Sequence, residues 1–334
     1  MPTSKSILTR KIRERKKKVL EHKGTALNGP KQTASFKKTL TQRISEEINP
    51  NLNLDVNTKP NVNLNSPMIP KIIHLYWHTK ELPEFIKQCK QTMIRMNPDW
   101  EIKQYSHEDI LKMKGYPAFC TRTYQLPYSQ KDAIKYACDW LRLYVLFHEG
   151  GVYMDMSCVC LAPLESFLDM NSSNIQGFNM SFIPNFYCME NWFICSPPRH
   201  EFIKKWMKET EEAHRIPYGA ELKYTEENYQ YEGSKLQKFL PYLVQALAWK
   251  KLNILFPEVK HSMIMGCTDK NGPYFWSNFK GSKQEQIRKM LTMKEGEFKH
   301  IPLLKFNEGI RNIMDDAVKN TKFKQSFLVQ YLSH

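Results

Sequence analysis

Two carboxylates and one guanidinium stand in the stretch Ala137-Cys-Asp-Trp-Leu-Arg-Leu-Tyr-Val-Leu-Phe-His-Glu-Gly-Gly-Val-Tyr-Met-Asp-Met-Ser157, at separations that would let them act together. Asp139 and Arg142 are three apart and share a face if the segment is helical. From Arg142 to Glu149 such a helix rises about 10 Å, at ~1.5 Å per residue. Gly150-Gly151 ends it, and Gly151 to Asp155 in extended form covers roughly 13 Å. The returning strand therefore sets Asp155 near Arg142, and near Asp139 one turn earlier. Three charged groups converge at the carboxyl end of a strand, where open α/β sheets bind ligands. Each member alone has a plainer reading. Asp139 and Arg142 could be a simple intrahelical ion pair, Asp155 a cap, and the glycines a helix stop. It is the joint spacing that favours a ligand pocket.

The elements around this stretch alternate. Ile69-Pro-Lys-Ile-Ile-His-Leu-Tyr-Trp77 is a short β-branched and aromatic run, fit for a buried strand. Pro83 opens a helix whose apolar stripe is Phe85, Ile86, Cys89, Met93 and Met96. Trp100 to Tyr105 reads as a second strand, and Ser106 with Asp109 as a cap for a short helix ending near Gly115. A longer helix is expected from about Gln130 to Glu149, followed by a strand at Val152–Met154. Pro198 opens a helix bearing Phe202, Ile203, Trp206 and Met207. Ser234 to Lys250 reads as helix weakened by Pro241, Leu252 to Phe256 as strand, and the last thirty residues as polar helix. The expected fold class is α/β, with a mostly parallel central sheet flanked by helices.

Charge divides the chain differently. Of a net +15 over 334 residues, +9 falls within the first 50. Residues 1–48 read as a basic arm, 49–66 as an Asn/Pro-rich linker, and 67–334 as the folded domain, whose charge balance is ordinary. The arm can be a solvated tail, or it can bind an anionic membrane surface at ~1 kcal/mol per basic residue. Nucleic acid is not the expected partner, because the arm has a single aromatic, Phe36, and no recognised motif. With 41% hydrophobic residues the chain can bury a sizeable core. Its eight cysteines form no paired C-x-x-C array, so they read as buried free thiols in a reducing compartment. No signal peptide or membrane-spanning run is seen, and a cytoplasmic location, peripheral to a membrane if the arm binds one, is the expectation.

Asp139-x-x-Arg142 followed by Gly150-Gly151-Val-Tyr-x-Asp155 resembles the signature of glycosyltransferase family 32 and the capsular polysaccharide synthesis proteins related to it. Ile69 to Trp77 is similar to the first strand of that superfamily. Tyr187 to Cys195 and Ile301-Pro-Leu-Leu-Lys305 resemble downstream segments more faintly. The match is good over about 67–168 and thin to about 310. The resemblance implies a GT-A nucleotide-diphospho-sugar transferase. Its donor would be a UDP- or GDP-sugar, its acceptor a glycan or lipid-linked hydroxyl, and its outcome retention at the anomeric carbon. It implies donor binding by Trp77, as an aromatic stacked on the base, with Tyr76 beside it. Asp139 and Arg142 would hold the sugar, and Asp155 would be the first carboxylate of a DXD motif.

The family's second Asp is Ser157 here. A divalent Mn²⁺ or Mg²⁺ is the implied cofactor, with Asp155 and Ser157 as its candidate ligands. A hydroxyl is neutral and a weaker ligand for a hard cation than a carboxylate. Departure of a nucleoside diphosphate develops negative charge on phosphate and positive charge on the sugar. A metal or cationic side chains offset the first, and preorganised carboxylates the second. Asp155→Asn and Arg142→Ala are each expected to abolish transfer and leave the fold intact. The alternative is a non-catalytic sugar-nucleotide or glycan-binding protein with a degenerate motif.

Overall fold

Ile72–Tyr76 forms strand β1, and its Ile-Ile-His-Leu-Tyr sequence places branched and aromatic side chains on both faces, as a doubly covered strand requires. The computed structural model describes residues 68–117, 130–181, 187–214, 243–259 and 261–333. These belong to a compact unit spanning Asn65–His334. The arm and linker expected over 1–66, and Cys120, lie outside the described residues.

Helix α1 (Glu84–Met96) follows Pro83, whose φ of −56° suits a helix start, and buries Phe85, Ile86, Cys89 and Met93. Strand β2 (Glu101–Tyr105) runs parallel to β1. Ser106 and Asp109 exchange the two hydrogen bonds of a capping box at the start of α2 (His107–Leu111). The long helix α3 (Gln130–His148) then leads to β3 (Gly151–Met154). Between them Gly150 and Gly151 both take positive φ, +71° and +91°. A Cβ on Gly151 would lie 2.5 Å from the carbonyl oxygen of Ile72, and one on Gly150 would lie 2.7 Å from Pro198 Cδ. The double glycine is thus required by backbone conformation and by close approach at once. His74, buried beneath this turn, donates from Nε2 to the Gly150 carbonyl (2.9 Å) and can accept from the Tyr105 hydroxyl through Nδ1 (3.1 Å). Burial holds its pKa below the usual histidine value, so it stays neutral and structural.

The chain continues through β4 (Cys158–Cys160), β5 (Ile175–Asn179), β6 (Met189–Ser196), α4 (Glu201–His214), α5 (Val244–Leu255) and β7 (His261–Gly266). It ends with α6 (Lys283–Leu291), β8 (Leu303–Lys305), α7 (Glu308–Lys319) and α8 (Phe327–Ser333). The six-stranded sheet has the order β2-β1-β3-β6-β5-β7, and β6 alone runs against its neighbours. This is the α/β architecture with a mostly parallel central sheet expected from the sequence. Side chains alternate along the strands. Ile73, Leu75, Val152, Met154 and Phe193 face one core with α1, α6, α7 and α8. Tyr153 and Ile194 face the other, with α3, α4 and α5. Fully buried side chains such as Phe193 and Trp206 each stabilise by about 1.5–3 kcal/mol.

Two expectations change. The run Leu252–Phe256 is not a strand: through Leu255 it is the last turn of α5, with Leu252 buried in the core on that side of the sheet. A short apolar run has no periodicity of its own to separate strand from buried helix. The helix expected from Ser234 is seen only from Val244, and 234–242 lie outside the described residues. The seven described cysteines are all free thiols, six of them buried. Among the described residues no helix is long and apolar enough to cross a membrane.

Candidate functional site

The return from α3 into β3 brings the three expected charges into one connected set. Arg142 Nη1 donates to Asp139 Oδ1 at 2.8 Å, and Arg142 Nη2 lies 3.7 Å from Asp155 Oδ1. The Arg142 guanidinium also lies 5.0 Å from the Tyr153 ring centroid. The Tyr153 hydroxyl donates to Asp155 Oδ1 at 3.3 Å. The members are not equally open. Side-chain exposure is 1% at Asp139, 5% at Arg142 and 28% at Asp155, so Asp155 is the group that faces outward.

Asp139 is enclosed by its own partners. Lys135 Nζ donates to Oδ2 at 2.7 Å, and His214 Nε2 lies 3.7 Å from the same oxygen. Burial alone would push the carboxyl up; Lys135 and Arg142, then His214, hold it below the usual carboxylate value. Gln245 on α5 accepts from Arg142 Nη1 at 2.7 Å and donates to the Asp139 carbonyl at 2.7 Å. Asp139 therefore fixes Arg142, and Arg142 presents its second edge to Asp155.

The fourth charge arrives from the far end of the chain. β8 pairs antiparallel with β4, setting Lys305 opposite Cys158. Phe306 N donates to the Ser157 carbonyl at 3.0 Å and fixes the register. Lys305 Nζ then lies 2.7 Å from Asp155 Oδ2 and 2.7 Å from Ser157 Oγ. Burial would raise the Asp155 carboxyl; Lys305 first, then Arg142 and Arg311, leave it below the usual carboxylate range, so it is ionised at neutral pH. Glu190 on β6 lies nearby, buried, and accepts from Cys267 Sγ at 3.5 Å. Burial pushes its carboxyl up to about 7.

Trp77 follows β1 and is half-buried, lining a groove of about 670 Å³ with His78, Thr79, Lys80, Leu82 and Ser106. The Arg311 guanidinium of α7 lies 5.3 Å from its ring centroid. Tyr76 does not join it. Strand alternation turns its ring into the core on the α3 side, 7% exposed, with its hydroxyl 3.4 Å from His107 Nδ1. Tyr76, expected beside Trp77 at the donor, thus faces the opposite side of the sheet from it.

The expected metal site fails a test of fit. A hard divalent cation needs several oxygen ligands at about 2.0–2.6 Å, anionic ones among them. Asp155 Oδ2 and Ser157 Oγ instead share one ammonium as partner, and no cluster of three His, Cys, Asp or Glu side chains stands together among the described residues. A divalent ion ~4 Å from that ammonium would meet about 8 kcal/mol of repulsion at an effective dielectric of ~20. As arranged, these residues hold a monovalent side-chain cation where the ligand pair was expected.

Sequence reasoning missed Lys305, Gln245, Arg311 and Glu190. A signal existed only for Lys305, in the segment Ile301-Pro-Leu-Leu-Lys305.

His214 gives the site a pH signature. Burial, opposed by the carboxylate of Asp139 and aided by Lys135 and Arg142, pushes its pKa down to about 3. The ordinary value is ~6.5, so between pH 6.5 and 3 the unfolded chain binds a proton that the folded chain refuses. Stability therefore falls with acidification across that window, by ~1.4 kcal/mol per pH unit for this group. Glu190 has the opposite slope, because its folded value lies above 4.5. A difference measurement isolates the histidine: His214→Gln is expected to lose about 2 kcal/mol less than wild type between pH 6.5 and 5 in urea unfolding. Equal losses would show that His214 titrates normally.

Residues 83–175, which contain Asp139, Arg142 and Asp155, match the family described as glycosyltransferase sugar-binding region containing DXD motif. Inositol phosphoceramide mannosyltransferase 2 of Schizosaccharomyces pombe is 36% identical over 104 residues, covering 30% of this chain and 29% of its own. Mannosyl phosphorylinositol ceramide synthase SUR1 of Saccharomyces cerevisiae is 29% identical over 170 residues, covering 49% and 38%. The chain thus spans about a third of the length of these curated relatives. Among solved structures, the PaToxG glycosyltransferase aligns over 70% of this chain and 84% of its own, with 17% identity and a TM-score of 0.36.

Proposed function

We propose that the chain is a glycosyltransferase moving a hexose-type sugar from a UDP- or GDP-sugar to a hydroxyl of a glycan or lipid-linked acceptor, with retention of configuration. The observation that carries this reading is the contact chain Asp139–Arg142–Asp155, lying within the stretch that matches the sugar-binding family. Asp155 is its solvent-facing end and would take sugar or ribose hydroxyls as an acceptor-only carboxylate. Arg142, locked by Asp139 and Gln245, would hold Asp155 in place without reorganising during the reaction. The bond from the anomeric carbon to the β-phosphate oxygen breaks with its electron pair passing to phosphate. The acceptor oxygen forms the new bond, releasing the nucleoside diphosphate and a proton.

The names of the yeast relatives make mannose the first sugar to try and an inositol-phosphate-bearing lipid the first acceptor. The same proposal places the chain in the cytoplasm, with the basic residues of 1–48 holding it at an anionic membrane surface. Ser157 supports a second reading, in which a sugar nucleotide binds without turnover.

Thermal-shift screening against UDP- and GDP-hexoses, followed by mass spectrometry of the donor, tests both. One nucleotide series is expected to raise Tm by a few degrees, and its hexose donor to be consumed. Binding without consumption would select the non-catalytic reading, and no shift with any donor would remove both.

A further inference from the structure

One cation, Lys305, stands at Asp155, and a second, Arg311, stands over the Trp77 ring, and the two have a use that the carboxylates leave open. An ammonium carries three donors. Lys305 gives one to Asp155 Oδ2 and one to Ser157 Oγ, both at 2.7 Å. Among the described residues the third meets no oxygen; the centroid of the Trp192 ring lies 5.8 Å from the ammonium. Arg311 is freer still. Its guanidinium lies against the Trp77 ring, and among the described residues its side chain makes no hydrogen bond. The positive charge of Arg311 is also felt at Asp155. Three ligand preferences thus coincide: a flat aromatic surface, a guanidinium shaped for bidentate phosphate contact, and a positioned ammonium with a spare donor. A nucleoside diphosphate offers a counterpart to each, a base for the ring and phosphates for the two cations.

We propose that Lys305 and Arg311, rather than a divalent metal, bind the diphosphate of the donor and take up the charge that develops on it as it leaves. This rests on the transferase reading above and extends it to residues outside the family-matched stretch. Lys305 is prepaid for the task. Its ammonium is already desolvated and oriented by Asp155 and Ser157, so no cation has to be recruited when the bond to phosphate breaks. Ser157 acquires a reason as well. A second carboxylate there would bind Lys305 more tightly and compete with phosphate for it, whereas a hydroxyl positions the ammonium and leaves its charge uncancelled.

The test is titration calorimetry with UDP and GDP in EDTA and again in Mn²⁺, with Mn²⁺ binding to the protein alone followed by electron paramagnetic resonance. One nucleotide is expected to bind wild type with affinities within about 3-fold in the two buffers. Arg311→Gln, at a half-exposed position with no hydrogen bond to lose, is expected to weaken that binding about 10-fold or more. Lys305→Met should weaken it further, and Lys305→Arg should restore part of it. The double variant Ser157→Asp/Lys305→Ala is expected to gain Mn²⁺ binding that wild type lacks. Nucleotide binding that appears only with Mn²⁺ would overturn the inference and leave the transferase reading standing. So would stoichiometric Mn²⁺ on wild type that Asp155→Asn removes. If neither nucleotide binds in either buffer, both readings fall.

Discussion

Asp155→Asn is expected to lower sugar transfer by about 100-fold or more while moving Tm by only a few degrees. The asymmetry follows from where the carboxylate stands. Asp155 is the open member of its network, held by Arg142 at 3.7 Å and Lys305 at 2.7 Å. An asparagine keeps one oxygen for Lys305, and Ser157 continues to hold that ammonium. The fold then loses part of one charge-assisted contact, about 1–2 kcal/mol, and ~2–4 °C per kcal/mol is the usual conversion for a domain of this size. The ligand loses more: the amide is neutral, presents donors where an acceptor is needed, and leaves two cations uncompensated beside the reacting bond. Removal of one preorganised electrostatic partner commonly costs about 10²–10³ in rate. Donor turnover and thermal unfolding measured on the same preparation check this. Undiminished turnover would remove Asp155 from the site.

Arg142→Ala gives the opposite balance, with stability as the larger loss. Arg142 is buried, donates to Asp139 Oδ1 and Gln245 Oε1 through one nitrogen, and reaches Cys138 Sγ through the other. Truncation strands a buried carboxylate with Lys135 as its remaining close cation. Breaking a buried pair in this way costs about 3–5 kcal/mol, or roughly 10 °C in Tm at the conversion above. The expectation that this variant would leave the fold intact is therefore corrected, because on sequence alone nothing shows that the pair is enclosed. Transfer is lost too, but lost activity in this variant does not by itself assign a role in binding. Unfolding in urea beside circular dichroism at 25 °C checks the prediction. A change under 1 kcal/mol would mean that solvent or another cation replaces the guanidinium.

What could be read from the chain was what is local in it. Asp139, Arg142, the double glycine and Asp155 lie within seventeen residues, and helix rise plus strand rise were enough to bring them together. The capping box at Ser106 and the stripe of α1 were legible for the same reason. Lys305 and Gln245 were not. They stand 150 residues from Asp155 and 103 from Arg142, and only the β4–β8 pairing and the docking of α5 against α4 and β6 close those distances. Burial was illegible as well. Asp139 and Asp155 look equivalent in the sequence, yet one is sealed beneath Lys135 and His214 and the other opens outward. Tyr76 and Trp77 are adjacent letters on opposite sides of a sheet.

The two-stranded ribbon of β4 and β8 has an implication for the order in which the pocket matures. Asp139, Arg142 and Asp155 are all synthesised by Ser157, whereas Gln245, which holds Arg142, and Lys305, which balances Asp155, come much later, Lys305 almost half a chain on. Until Leu303–Lys305 docks, the acidic motif has an unneutralised face. Competence to hold a nucleotide would then report that the carboxyl-terminal helices have closed over the sheet, making ligand capture a proofreader of finished folding.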